Sequence, residues 1–382
     1  MGGIKSHVAL AFALLFSAAC GMRSAYLHPA FAPSTPETAT YRLLLIGDGG
    51  ELREPEPVLT VAALLAGRMA GRTTAIYLGD NAYPRGISGS EATKATARLT
   101  LARQVDTLSS VARVVVVPGN HDWAKYGRGG IEAIREQADF VRARGARFAP
   151  AAGCPGPDAE PLDLPEGHAV VRVIAIDTQW WLHDYERGTN CDPGDRGAFV
   201  ARLLAQLDTK LPVVIAAHHP LATHGQHGGY LPWQTHVFPL RSIPGMTWAW
   251  LPLPGLGSIY PLGRRLIRHE QDVNGPKNIV MRDAISEAVA SATTPPLVVF
   301  AAGHDHALQV LRGPGVDFTL VSGAGASHHE AAVGRGTDTL LAQPTAGFMV
   351  LDVAPGGLSV AVVDPVDATT WDRWYPLRKA RP

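Results

Sequence analysis

Long apolar runs, an excess of either charge and cysteine are all scarce in this chain. The first apolar run, Val8 to Phe16, is about half the ~20 residues needed to cross a bilayer. Lys plus Arg and Asp plus Glu number 34 each. Nothing therefore indicates a polyanion-binding surface, and nucleic acid is not an expected partner. Only 18% of residues are charged, while glycine (40) and proline (30) are abundant. That balance fits a loop-rich enzyme and argues against a helical bundle. No internal repeat is visible, so 382 residues read as one domain with insertions. There are three cysteines, of which Cys20 falls in an N-terminal leader.

In the leader, Lys5 and His7 precede the apolar run, which ends in Ser17-Ala18-Ala19-Cys20-Gly21. This resembles a bacterial lipoprotein signal in which Cys20 becomes the lipidated N-terminus. Ser17 stands where such signals usually carry Leu, and ordinary secretory cleavage is the alternative. The expectation is an exported, membrane-anchored lipoprotein facing the periplasm or cell surface. Residues 1–20 would be the signal, 21–40 a proline-rich tether and 41–382 the catalytic domain. In an oxidising compartment the remaining pair, Cys154 and Cys191, both in Pro/Gly-rich loops, reads as a disulfide before a metal site.

The body of the chain repeats one device: an apolar run, then a polar residue. Tyr41–Ile46 runs into Gly47-Asp48-Gly49-Gly50, and Thr74–Leu78 into Gly79-Asp80-Asn81-Ala82-Tyr83. Val114–Val117 delivers Pro118-Gly119-Asn120-His121-Asp122, and Val170–Ile176 ends at Asp177. Val213–Ala217 leads to His218-His219-Pro220, and Leu297–Ala301 to Gly303-His304-Asp305-His306. Helical spacing separates these strands at 58–69, 93–108, 131–144 and 199–207. Strand–helix alternation argues for an α/β fold built from parallel units, with ligands at the strands' C-terminal ends. The tail, 307–311, 318–321, 348–353 and 358–363, reads as antiparallel strands.

Collected from these strand ends are Asp48, Asp80, Tyr83, Asn120, His218, His304 and His306. They are oxygen and imidazole donors without a thiolate, a set suited to iron, manganese or zinc. Asp80 can offer one oxygen to each of two ions. A free phenol has a pKa of about 10, so a Tyr83 phenolate at neutral pH implies a strong Lewis acid beside it. Seven donors with one bridging carboxylate suffice for two metal ions, which can hold a phosphoryl oxygen for attack by water.

In order and spacing the five motifs resemble the calcineurin-like metallophosphoesterase signature, over about residues 41–363. Position 50 is Gly where most members carry a metal-binding His, and position 83 is Tyr. Together these resemble the purple acid phosphatase branch. The resemblance implies a four-layer αββα sandwich of two mixed sheets flanked by helices. It implies Fe(III) held by Asp48, Tyr83 and His306, and a divalent ion (Fe, Zn or Mn) held by Asn120, His218 and His304. Asp80 would bridge the two, and the activity would be hydrolysis of small phosphate monoesters. A phosphodiesterase or nucleotide pyrophosphatase on the same metals is the nearest alternative. A non-catalytic surface lipoprotein that binds a partner is the alternative of another class.

His121 follows Asn120 and is expected in the same cleft. His227 resembles a substrate-binding histidine of this branch. Either can neutralise a phosphate oxygen or protonate a leaving group. His219 reads as a neighbour that orients them, and His328 and His329 receive no role. Residues 230–261, rich in Pro, Gly, Leu and Trp (Trp233, Trp248, Trp250) and followed by Arg264, Arg265 and Arg268, read as an insertion. It is either a lid whose aromatic residues fold over the cleft or an anchor at a membrane interface, with the lid favoured.

Overall fold

A computed structural model describes residues 25–379 except 36, 243–245, 247, 254, 296 and 327–331. The leader with Cys20, and His328 and His329, lie outside the described residues. In chain order the elements are β1 (Tyr26–Leu27), β2 (Tyr41–Ile46), α1 (Pro57–Gly67), β3 (Thr73–Leu78), α2 (Glu91–Ser109), β4 (Arg113–Val117) and α3 (Gly130–Ala143). Then follow β5 (Arg147–Phe148), β6 (Leu162–Leu164), β7 (Val171–Ala175), α4 (Thr178–Leu182), α5 (Arg196–Leu207) and β8 (Val213–Ala216). After α6 (Trp233–Val237), α7 (Ile259–Ile267) and α8 (Pro276–Ser291) come β9 (Val298–Ala302), β10 (Leu308–Arg312) and β11 (Phe318–Ser322). The chain closes with β12 (Thr339–Gln343), β13 (Phe348–Ala354), β14 (Gly357–Val363) and β15 (Tyr375–Leu377).

The strands form two mixed sheets, ordered β1-β12-β10-β11-β9-β8-β7-β6 and β15-β14-β13-β2-β3-β4-β5. Their inner faces pack against each other, and period-2 alternation decides which residues meet. Leu43 and Leu45 of β2, Ile76 and Leu78 of β3, and Val115 and Val117 of β4 face Val214, Val299, Leu308 and Val310 of the other sheet. The alternate residues Leu44, Ala75, Val114 and Val116 face outward, under α1, α2 and α3. On the opposite side Val213, Ile215, Val298 and Phe300 are covered by Phe199 and Leu203 of α5 and Met281 and Ile285 of α8. Strands covered on both faces are apolar throughout, which is why Val114–Val117 carries no alternation of its own. The result is the expected four-layer αββα sandwich.

Helix starts are set locally. Ser90 accepts from the Thr93 N–H ahead of α2, Asp195 from the Ala198 N–H ahead of α5, and Pro276 opens α8. Cys154 and Cys191 are disulfide-bonded, stapling two loops.

Two expectations need correction. The tail is not wholly antiparallel: β11 pairs parallel with β9 and antiparallel with β10. The stretch expected as a tether is partly built in: β1 pairs with β12, and Phe31 is buried against Tyr375 at 4.8 Å. α8 and β12 were absent from the sequence reading. The 230–261 region holds short helix only among its described residues: α6 lies inside it and α7 begins at Ile259.

Arg42 and Asp352 face each other across β2 and β13 and pair through two 2.7 Å bonds, both residues under a tenth exposed. Arg42 also donates to the Leu65 carbonyl of α1 at 3.0 Å. Removing one member strands a buried charge. Asp352→Ala is expected to destabilise the fold by roughly 3–5 kcal/mol, read as a large fall in Tm. The double variant Arg42→Met/Asp352→Leu should recover most of it. A single variant that melts like wild type would show the pair to be dispensable.

Candidate metal and phosphate site

The parallel strands β2, β3 and β4 of one sheet and β8 and β9 of the other end at the same edge of the sandwich. All seven expected donors gather there. Asp48, Asp80, Asn120, His218 and His304 are buried.

The donors fall into two groups. In the first, the Tyr83 hydroxyl lies 3.0 Å from Asp48 Oδ1, 3.1 Å from Asp80 Oδ2 and 3.2 Å from His306 Nε2. In the second, Asn120 Oδ1 lies 2.9 Å from His218 Nε2 and 3.1 Å from His304 Nδ1, and these two ring nitrogens are 3.2 Å apart. Asp80 stands between, with Oδ2 toward Tyr83 and Oδ1 3.4 Å from His218 Nε2.

The tautomers follow from the outer partners. The Leu78 carbonyl lies 2.8 Å from His218 Nδ1, and the Gln271 carbonyl 2.8 Å from His304 Nε2. A carbonyl only accepts, so these nitrogens carry protons. Burial works against the charged form of His218, yet Asp80 and Asp48 hold its pKa up. In the first group the Tyr83 hydroxyl meets two carboxylate oxygens and an imidazole nitrogen. Burial, then Asp48 and Asp80, push the Tyr83 pKa well above its ordinary value. Burial and the surrounding imidazoles of His227, His219 and His218 push that of His304 well down. Burial works against the charged form of His306, yet Asp48 and Asp80 hold its pKa up. Carboxylate, phenol, amide and imidazole groups converging in two adjacent clusters are a donor set that fits cations.

A β-carbon on Gly50 would come within 2.5 Å of the Ala82 nitrogen and 2.6 Å of the Asp80 carbonyl, so no side chain fits at this position. The Tyr83 N–H donates to the Gly50 carbonyl at 3.2 Å.

Both expected substrate-side histidines line a cleft of about 730 Å³ beside the donors. His121 Nδ1 meets the Pro84 carbonyl at 2.7 Å, which leaves Nε2 on the side of Asp80 Oδ2, 3.8 Å away. His227 Nδ1 meets Asp272 Oδ1 at 3.0 Å, and its ring stacks on His304 at 3.8 Å between centroids. Ring nitrogens of His218, His219 and His304 lie close enough to share an ion. However, His219 has Nδ1 on Thr178 Oγ1 and Nε2 on Gln271 Oε1, each at 2.8 Å, so it supports its neighbours. Among the described residues of 230–261 none lines the cleft; the wall comes from Gly263, Arg264 and Ile267 just beyond.

Several supporting residues escaped the sequence reading. Asp305 accepts from Thr223 Oγ1 at 2.5 Å and from the His227 N–H at 3.1 Å, so it fixes the His227 loop. Asp272 binds both His227 and Arg264. Asp122 accepts from the Gly119 N–H at 2.8 Å and from Asn81 Nδ2 at 2.9 Å, which ties two strand ends together. Asp122 and Asp305 stood inside quoted motifs. Gln271 and Asp272 offered no signal beyond a polar cluster after an apolar stretch.

No protein-family model matches the chain. No curated protein matches it in sequence either. Among solved structures it is similar to GAP50, the anchor in the inner membrane complex of Plasmodium, at 13% identity over 90% of each chain, TM-score 0.48. It is similar to a dimetal phosphatase from Danio rerio at 12% identity over 90% of this chain and 100% of that one, TM-score 0.45. A 5′-nucleotidase from Candida albicans shares 10% identity over 89% of this chain and 54% of that one, TM-score 0.37. Likenesses this distant carry no argument about chemistry, which rests here on the donor atoms.

Asp177 accepts from Trp123 Nε1 at 2.9 Å and caps α4 beside Thr178. Burial raises its pKa to about 7, against about 4 in an unfolded chain. Between those values the folded chain keeps a proton that the unfolded chain has lost. Asp177 therefore adds stability at low pH, and the contribution is lost as pH rises through about 7. Asp177→Asn should flatten the pH dependence of Tm in that window. Melting curves at about pH 5 and about pH 8 check this; an unchanged slope would mean Asp177 is ionised throughout.

Proposed function

We propose that the chain hydrolyses phosphate monoesters at a two-metal centre. The observation that carries the reading is the convergence of carboxylate, phenol, amide and imidazole groups at the sheet edge, above all Asp48, Asp80 and His306 around the single Tyr83 hydroxyl. Asp48, Tyr83 and His306 would hold one ion, by the resemblance Fe(III), and Asn120, His218 and His304 a divalent ion. Asp80 would serve both. When bound, such ions polarise a phosphoryl oxygen and lower the pKa of water.

The remaining steps belong to the protein. His121 and His227 each line the cleft with Nδ1 engaged, on the Pro84 carbonyl in one and by Asp272 and Arg264 in the other, which suits Nε2 for hydrogen bonding to a phosphoryl oxygen or passing a proton to the departing alkoxide. Asp272 fixes the ring of His227, and Arg264, bound to the same carboxylate, adds a cation to the cleft wall. Buried Asp305 anchors the loop behind them. A cleft of about 730 Å³ exceeds the needs of a phosphate group, so a diester or nucleotide pyrophosphate is the second reading. The site would act outside the cytoplasm, held to a membrane through Cys20. Among the described residues no helix is long and apolar enough to cross a membrane.

Metal analysis and a visible spectrum test the centre independently of turnover. Wild type should carry two metals per chain and a tyrosinate-to-iron absorption that Tyr83→Phe abolishes. A colourless, active wild type holding only zinc or manganese would overturn the Fe(III) assignment. Asp80→Asn should lose both metals and nearly all hydrolysis, because it removes the charge between two cations. Full metal content in that variant would show that Asp80 is not shared. Comparing an aryl phosphate with a bis-aryl phosphate ranks monoester against diester.

A further inference from the structure

We infer that the outer face of residues 248–267 docks on a lipid bilayer. Fifteen large apolar side chains are exposed among the described residues, and eight of them lie in this stretch. Trp248 is 73% exposed, and Ile259, Leu262 and Leu266 stand out from α7, with Leu266 at 81%. On the same helix Arg264 turns inward and pairs with Asp272, whose side chain is only 6% exposed. This is the reverse of a helix that meets water, where leucines go in and arginines out. The segment is nevertheless folded: Leu253 N–H donates to the Val237 carbonyl at 2.7 Å, and His236 Nδ1 meets Ser258 Oγ at 3.0 Å.

Charge favours a bilayer over a second copy of this chain. Between Asp208 and Glu270 there is no acidic residue, in a chain balanced overall at 34 of each sign. Arg241 stacks over Trp250 at 3.5 Å, and Arg268 is exposed beside the leucines. Tryptophan and arginine beside exposed leucine match the headgroup boundary of an anionic leaflet.

The position of the N-terminal segment supports the same face. Arg335 stacks over Tyr26 at 4.7 Å, and a β-carbon on the adjoining Gly334 would come within 2.7 Å of Tyr230, where the insertion begins. Tyr26, the sixth residue after Cys20, thus lies near the root of the apolar excursion. Six residues span at most about 20 Å, so a lipid on Cys20 would keep that root within this reach of the bilayer. The inference uses the anchored reading above for that last step and no catalytic residue.

The test uses the full chain on vesicles of phosphatidylcholine and phosphatidylglycerol carrying brominated acyl chains. Tryptophan emission of wild type should be quenched, and Trp248→Phe/Trp250→Phe should lose that quenching, since these are highly exposed tryptophans. Leu262→Ser/Leu266→Ser should lower quenching as well. Equal quenching in all three proteins, or none in wild type, overturns the inference. So does a concentration-dependent dimer, measured by sedimentation without vesicles, that Leu262→Ser/Leu266→Ser abolishes; the face would then meet a second copy. Aryl phosphate hydrolysis in the same samples separates the two readings. Turnover without quenching rejects docking alone, and quenching without turnover rejects the phosphatase.

Discussion

The molecule depends on how closely two sheet edges approach. The strand ends of both sheets touch through backbone: Gly47 N–H donates to the Ser322 carbonyl at 2.8 Å, and Gly325 N–H to the Gly47 carbonyl at 2.9 Å. A β-carbon on Gly47 would lie 2.8 Å from the Gly303 α-carbon. Without side chains at that junction, Asp48 from one sheet and His304 from the other come within 2.6 Å, N–H to carboxylate. Asp48, Asp80 and His304 also take positive φ, at 58°, 54° and 72°. Left-handed backbone at a non-glycine residue costs on the order of 1–3 kcal/mol. The sandwich must over-determine these positions, and its doubly covered strands do so.

That arrangement accounts for what could be read in advance. A strand buried on both faces is an apolar run with an abrupt end, so the five motif-bearing strand ends stand out in the sequence. α8 escaped because its buried stripe, Met281, Ala284, Ile285 and Ala288, is half alanine and contrasts weakly with its surroundings. β12 and the parallel pairing of β11 escaped because pairing direction is set by partners far away in the chain. Gln271, Asp272 and Arg264 act through tertiary contacts alone, and no spacing rule links Gln271 to His304 or Asp272 to His227. The insertion's composition was legible; the direction its side chains face was not, since proline and glycine remove the periodicity that would reveal it.

The contacts of residues 264–272 join two features that look separate. The Gln271 carbonyl fixes which nitrogen of His304 faces His218, and its side chain holds His219. Asp272 holds His227 on one side and, through Arg264, the inner face of α7 on the other. The outer face of that helix carries the exposed leucines. The outer face of α7 is thus joined to a histidine that lines the cleft through the Arg264–Asp272 pair. The linkage is short and charge-assisted, and Asp272 is nearly buried, so little slack exists to absorb a displacement. The face proposed to settle on a bilayer and the cleft proposed to accept a phosphate are, in this chain, the two sides of one helix.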